Sequence, residues 1–202
     1  MKKINKYICD HFENDKFSIL GHLKNPKFSI VERLHINKDT TNHYNYHPTT
    51  RDELKELVDK LIEERGDDAD LNDIDTSEIT DMSHIFYYSK FNGDISEWDV
   101  SNVKKMETMF GCSKFTGKNG DISQWDVSNV IDMYCMFYKS KFNGDISNWD
   151  VSNVKNMYCM FRESSFTGEN GDISSWNVSN VKNMGAMFYR SPLQKNPPKW
   201  YK

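Results

Sequence analysis

The chain has 202 residues, a formal net charge of -4 and an apolar fraction of only 37%. It contains no run of about 18 apolar residues, which excludes a membrane-spanning helix, and its four cysteines are too few for a disulfide framework. Beyond residue 50, eighteen Lys or Arg face twenty-five Asp or Glu, and this acidic balance argues against nucleic-acid binding.

Residues 1–50 show the least regular pattern of the chain. Residues 29–36 alternate loosely between apolar and polar and could form one strand. His43 and His47 are four residues apart, a spacing that binds zinc when it lies on a helix. Here, as with the nearby His35, no Cys or carboxylate stands at ligand spacing, and the stretch is rich in turn residues. A polar loop is therefore the preferred interpretation, and the sequence predicts no metal site and no cofactor.

Residues 50–65 are predicted to form a helix. Thr50 and Glu53 have the spacing of a capping box, in which each side chain bonds the backbone amide of the other. Gly66 is expected to end the helix. The apolar face follows the 3.6-residue period through Leu54, Leu57, Val58, Leu61 and Ile62. Because an isolated helix of this length is marginal, we expect this face to pack on the first repeat near Leu71, as an N-terminal cap.

One sequence, D-I-S-x-W-[DN]-V-S-N-V-x-x-M-x-x-M-F, recurs down the rest of the chain. A degenerate copy begins at Ile74, and the repeat spacing then alternates between 24 and 27 residues. The three extra residues always lie in one turn, at residues 115–121 and 166–172. A fixed period in the twenties is typical of a solenoid. The four full copies are marked by Trp98, Trp125, Trp149 and Trp176.

The pattern within a repeat predicts a short strand followed by helical turns. Trp98 and Val100 would point inward and Asp99 outward, which is the period of a strand. The spacing of Met106, Met109 and Phe110 suits one or two turns of helix. The predicted fold class is thus an α/β repeat solenoid, with a leucine-rich-repeat-like parallel β ladder, short helical turns and an N-terminal helical cap. The predicted domains are a cap region at 1–70, five repeats at 71–193 and a C-terminal cap at 194–202.

These motifs resemble the BspA-like leucine-rich repeat family, in the form associated with mycoplasma lipoproteins, over residues 71–193. The resemblance implies a bacterial surface or secreted protein with a role in adhesion or partner binding. The N-terminus begins Met1-Lys2-Lys3, but Asn5 and Lys6 interrupt the apolar stretch that an export signal needs. No export signal is therefore predicted, so the localisation stays open between the cell surface and the cytoplasm.

Two columns of acidic residues recur in the repeats. We expect each Asp to accept backbone amides of its own turn or of the next repeat. A row of weak calcium sites is the alternative, although the Gly-Gly-x-Gly-x-Asp pattern is absent. The column after Trp contains Asp75, Asp99, Asp126 and Asp150 and ends in Asn177. The turn column contains Asp94, Asp121, Asp145 and Asp172.

No catalytic motif is found, and the recurring Ser, Asp and Asn residues follow the scaffold, whereas an active site is normally singular. Cys135 and Cys159 share a column in which small-residue packing is expected, because parallel Cβ vectors suit a disulfide poorly. Tyr87, Tyr138 and Tyr189 share a column with Gly111 and Arg162 and are either interface anchors or half-buried packing. The candidate binding face is formed by Asp75, Glu97, Asp99, Asp126, Asp150, Tyr87, Tyr138 and Tyr189.

The predicted function is a non-enzymatic, monomeric protein-binding solenoid whose partner is a protein or a cell-surface ligand. An intracellular structural scaffold is the alternative. Nucleic acid is not expected as a partner.

Overall fold

The computed structural model describes residues 44–201. The expectations for a strand at 29–36 and for His35 and His43 lie outside the described residues. Within this part of the chain, the helical elements are α1 (Arg51–Arg65) and two single 3-10 turns, Ile173–Ser175 and Pro192–Gln194. None of these helices is long and apolar enough to cross a membrane.

The capping box of α1 forms as predicted. The Thr50 hydroxyl accepts from the amide of Glu53 at 3.3 Å, and the Glu53 carboxylate accepts from the amide of Thr50 at 3.1 Å. These bonds satisfy amides that the first helical turn leaves without a partner. Gly66 ends the helix with a φ of 94°, and its amide donates to the carbonyl of Ile62 at 2.9 Å.

Helix α1 packs against the first repeat. Its residues Leu54, Val58 and Leu61 are buried and join the same apolar core as the repeats. Two arginines at its ends hold it in place by polar contacts. Arg51 Nε donates to the carbonyl of Ser83 at 2.9 Å, and the guanidinium of Arg65 binds both carboxylate oxygens of Asp73 at 2.8 and 2.9 Å. The apolar end of the repeat stack is thereby covered.

The predicted α/β solenoid with a parallel β ladder is wrong, because residues 44–201 contain no β-strand and no sheet. The stretch expected to be a strand consists of two successive turns. Trp98 donates its amide to the carbonyl of Ile95 at 3.2 Å, and Val103 donates to Val100 at 2.9 Å. Trp98 and Val100 are both buried, so the inward-outward alternation is real, but turns produce it.

Neighbouring repeats are joined by single parallel bridges and by backbone bonds that alternate with turns. One series of bridges runs through Asp81, Lys105, Asp132, Asn156 and Asn183. Between residues 82 and 89, every second amide donates to the next repeat, and the amides between them mostly close turns three residues back. The donors to the next repeat are Met82, His84, Phe86 and Tyr88, at 2.8–2.9 Å. The turn-closing donors are Ile85, Tyr87 and Ser89. Backbone amides are thus satisfied without an extended segment.

Helical turns after the second Met of each repeat were also expected, and left-handed residues prevent them. The residues ten and fourteen positions after each Trp of the four full copies, and after Ile74 of the degenerate copy, have φ values between 52° and 65°. This conformation reverses the sense of the backbone and interrupts a right-handed helix. The ten residues are His84, Thr108, Cys135, Cys159 and Ala186, with Tyr88, Cys112, Lys139, Glu163 and Arg190.

Aromatic columns fill the interior of the stack. Phe86, Phe110, Phe137, Phe161 and Phe188 lie nearly parallel, with centroids 5.4–5.8 Å apart. A second column begins with Phe91 and Phe115, at 6.1 Å, and continues to Phe166. Each repeat therefore buries its apolar side chains against the repeats next to it, as in other repeat arrays.

The Trp column extends one position further than the sequence pattern suggested. Each indole Nε1–H donates to a carbonyl in the preceding repeat, as Trp149 does to Ile122 at 3.0 Å. Trp200, which the prediction placed in the C-terminal cap, donates in the same way to Ile173 at 3.0 Å. Its ring lies 6.3 Å from that of Trp176, nearly parallel to it. The Trp column thus runs into residues 194–202.

Short and long turns alternate, and an asparagine side chain in each short turn binds a threonine in the following long turn. The Asn92 carboxamide oxygen in a short turn accepts from the amide and the hydroxyl of Thr116 in the following long turn, at 2.9 and 2.8 Å. Asn143 and Thr167 repeat this contact at 2.8 and 3.1 Å. In both long turns a Gly has a φ near 77°, at Gly117 (77°) and Gly168 (76°). Short and long turns therefore form matched pairs.

Candidate functional site

The Asp side chains of both columns accept hydrogen bonds from backbone amides of their own turns, as expected from the sequence. Asp99 Oδ1 accepts from the amide of Ser101 at 2.9 Å, and Asp150 Oδ1 accepts from Ser152 at 3.0 Å. Asp75 and Asp126 make the same contact at 3.1 Å. The turn column does likewise, with Asp94, Asp121, Asp145 and Asp172 bonding at 2.8–2.9 Å. These residues shape the turns of every repeat.

The same contacts lower the pKa values of several of these groups. Hydrogen bonds from the hydroxyl and then the amide of Ser152 hold the pKa of Asp150 below its usual value. Ser174 lowers the pKa of Asp172 in the same way. Between residues 44 and 201, no three His, Cys, Asp or Glu side chains are grouped as a metal site requires. The calcium alternative therefore gains no support from the geometry.

A shallow pocket lies at the N-terminal edge of the acidic column. Its lining includes His47, Thr49, Asp75 and Glu78. His47 Nδ1 lies 3.2 Å from Asp75 Oδ2, which pairs the histidine with a carboxylate. Burial, followed by the charge of Asp75, raises the pKa of the neighbouring Tyr44. Through Asp75, His47 contacts the first repeat. None of the residues that line this pocket is an activated nucleophile.

The repeated cysteines are buried and free. Cys135 and Cys159 occupy the left-handed column and form no disulfide. Burial raises the pKa of Cys135 to about 11. Its thiol is therefore protonated at neutral pH, whereas a nucleophilic cysteine needs a lowered pKa. This agrees with a packing role for the column.

The tyrosine column carries cations on its rings. The guanidinium of Arg162 lies 6.0 Å from the ring centroid of Tyr138 and 5.0 Å from that of Tyr189. Lys139 lies 5.2 Å from the Tyr138 centroid, and Arg190 lies 5.2 Å from that of Tyr189. Such cation–π contacts fix the orientation of both partners.

Tyr87 and Tyr88 occupy the corresponding positions in the first repeat. The side chain of Tyr87 lies close to Gly111, where an added Cβ would be 3.1 Å from Tyr87 Cδ2 and would overlap Thr108 Cγ2. Tyr87 is 39% exposed and Tyr88 69% exposed, and Tyr189 at the other end of the column is 41% exposed. The interface-anchor alternative for these tyrosines therefore has the exposure it requires.

The tyrosines belong to a larger surface, which we name the basic strip. It consists of the side chains thirteen to sixteen positions after the Trp column, at residues 87–90, 111–114, 138–141, 162–165 and 189–190. Its basic members are Lys90, Lys114, Lys139, Lys141, Arg162 and Arg190. Its one acid, Glu163, lies 3.5 Å from Lys139 Nζ and 3.4 Å from Arg162 Nε. The strip therefore carries a strong net positive charge.

The acidic residues are segregated on another part of each repeat. The segments 70–78, 94–102, 121–129, 145–153 and 172–180 contain twelve Asp or Glu and no Lys or Arg. Three to eight residues separate them from the neighbouring stretches of the basic strip along the chain. The sequence analysis named the acidic residues and three tyrosines and placed Arg162 in the tyrosine column, but it missed the other basic members of the strip. The recurring Ser-Lys pair before Phe91, Phe115 and Phe142 was the signal that could have shown them.

One family model matches the chain twice, over residues 53–141 and over residues 112–201. Its description is "Mycoplasma protein of unknown function, DUF285". No curated protein and no solved structure matches the chain.

Proposed function

We propose a protein-binding function for the chain, which belongs to the DUF285 family, described as Mycoplasma proteins of unknown function. The observation that carries the proposal is the basic strip. Tyr and Arg are enriched where protein interfaces concentrate their binding energy. Here Tyr87 and Tyr88 lie at one end of the strip, and Arg162 with Tyr189 at the other. The protein is proposed to act without catalysis.

The polar side chains outside the basic strip have structural roles, and this supports the proposal. The Asp columns bind turn amides, and exposed asparagines such as Asn102 and Asn153 donate to carbonyls of the preceding repeat at 2.8 Å. These polar groups therefore have structural roles. Within residues 44–201 the Tyr, Lys and Arg side chains of the basic strip donate to no backbone carbonyl; Arg162, for example, bonds the side chains of Glu163 and Cys159. They therefore have no such role in shaping the turns and can contribute to binding a partner.

The resemblance to BspA-like proteins supports a bacterial surface location and a role in adhesion. An intracellular scaffold is the second proposal, and it uses the same surface. Protease treatment of intact cells followed by immunoblotting separates the two. Loss of the protein from intact cells supports surface adhesion, whereas protection until lysis supports the scaffold.

Cross-linking in native cells tests the binding function itself. The wild type is compared with a strip variant, Tyr88→Ser with Tyr189→Ser, and with a control, Glu97→Gln with Gln124→Ala, on exposed positions of the acidic segments. A cross-linked protein that is retained by the control and lost by the strip variant supports the proposal. Equal recovery with all three proteins, or no cross-linked partner, contradicts it.

A further inference from the structure

Resting on this proposed function, we infer that the partner of the basic strip is an extended, acidic segment of polypeptide. The charges of the strip supply the first reason. Six Lys or Arg side chains stand against Glu163 alone, and charge complementarity governs which surfaces associate productively. A partner segment rich in Asp or Glu satisfies this surface, whereas a basic or purely apolar segment leaves the cations unpaired.

The acidic segments of the repeats limit how long a negatively charged partner can be. Twelve carboxylates lie in the segments that border the strip along the chain, with no Lys or Arg among them. A long polyanion such as a nucleic acid extends past a narrow strip and is repelled by them, since neighbouring like charges oppose binding. A short acidic peptide segment stays within the strip.

The tyrosine rings also favour a polypeptide over a single-stranded nucleic acid. Sequence-independent binding of single strands needs free aromatic faces on which bases stack. Here Lys139 and Arg162 lie near the ring of Tyr138, and Arg162 and Arg190 near that of Tyr189. Those faces are therefore already in use, and the cations present their hydrogen-bond donors to a partner, for which carboxylates are suitable acceptors.

The spacing of the lysines suits an extended chain that runs along the stack. Lys90, Lys114 and Lys141 hold one position in successive repeats and each directly precedes a phenylalanine of the second column. Those phenylalanine rings are 6.1 and 6.0 Å apart. Side chains on one face of an extended chain recur about every 6.6–6.8 Å. This spacing is close to that of the rings beside the lysines, and the long, flexible lysine side chains can span the difference. An acid at every second position of the partner can therefore meet successive lysines.

Binding of a synthetic peptide tests the inference. The probe is a fluorescein-labelled decapeptide of alternating Glu and Ser, titrated with the full chain and followed by fluorescence anisotropy at low and at physiological salt. We expect saturable binding that weakens as salt rises. The strip variant Lys90→Gln, Lys114→Gln, Lys141→Gln is expected to bind about tenfold more weakly. The control is Lys104→Gln, Lys155→Gln, Lys182→Gln, which removes the same charge from exposed lysines outside the strip.

The control distinguishes binding at the basic strip from a general effect of the protein's net charge on the peptide. Retention of binding within about twofold in the control supports the inference, because rim charges act locally at physiological salt. Equal loss in both variants overturns it, since net charge alone then explains the binding. Tighter binding of an unlabelled oligouridine or of heparin than of the peptide also overturns it. If the peptide fails to bind while the cellular cross-link still depends on Tyr88 and Tyr189, the acidic partner is wrong and the protein-binding function stands.

Discussion

Replacement of Trp149 by alanine tests whether the Trp column holds the stack together. Trp149 is 3% exposed, and its ring lies 6.3 Å from that of Phe137. Loss of the indole leaves a cavity between two repeats, which costs about 3–5 kcal/mol. The lost hydrogen bond is a small part of this cost. The carbonyl of Ile122 also accepts from the amide of Trp125 at 3.2 Å, so it keeps one partner.

Urea unfolding followed by circular dichroism measures this loss. Trp149→Phe, which keeps most of the ring and removes the donor, is expected to cost about 1–2 kcal/mol. Trp200→Ala serves as the positional control because Trp200 is only partly buried at the end of the column. A loss below about 2 kcal/mol for Trp149→Ala, or one no larger than that of Trp200→Ala, would refute the reasoning.

Three further outcomes follow from local geometry. A Cβ at position 93 would overlap a carbonyl oxygen of the preceding repeat, so Gly93→Ala should prevent folding at 37 °C, judged by circular dichroism. Gly66→Ala meets no atom within 4 Å, but the φ of 94° and ψ of 173° lie in a region that only glycine adopts readily. Gly66→Ala should therefore fold and cost about 2–3 kcal/mol of backbone strain. Tyr88 has a φ of 56° on an exposed turn, so Tyr88→Val should lower the free energy of unfolding by about 1–2 kcal/mol relative to Tyr88→Asn. Bonds within its own turn lower the pKa of Asp150 in the folded state. This carboxylate therefore stabilises the fold above the unfolded pKa of about 4, and the contribution disappears as the pH falls through the folded pKa. Asp150→Asn should reduce the loss of stability in urea melts between about pH 5 and pH 3; an unchanged acid limb would contradict this.

The alignment of the repeats and the identity of the core residues were predictable because both depend only on the spacing of residues along the chain. Identical spacing places Trp98 and Phe110 in columns whatever backbone connects them, and the capping box of Thr50 is a local feature. The strand was not predictable in this way. Inward-outward alternation at Trp98 and Val100 arises equally from a strand and from two turns, and only the bonds to Ile95 and Val100 distinguish them. Left-handed Thr108 also carries no sequence signal, since nine of the ten equivalent positions hold residues that rarely adopt this conformation, alanine and cysteine among them.

The candidate surface was only partly predictable for a related reason. Asp99 and Asp126 are conspicuous in the sequence, but their oxygens bind turn amides. Arg162 and Lys139 vary from repeat to repeat and therefore look incidental. Lys139 adjoins Tyr138 in the sequence, but Arg162 reaches the same ring from the next repeat, which only the stacking of the repeats reveals.

The pairing of short and long turns has a consequence for how such an array changes length. The side-chain oxygens of Asn92 and Asn143, in short turns, accept from the amides of Thr116 and Thr167, in long turns. Each of these asparagines therefore needs a long turn in the next repeat. Loss of a single repeat by recombination would bring two turns of one type together and leave these groups unmatched. Gain or loss of two repeats, the 51 residues from Trp98 to Trp149, preserves this pairing of asparagine and threonine. The heritable unit of this architecture is therefore the pair.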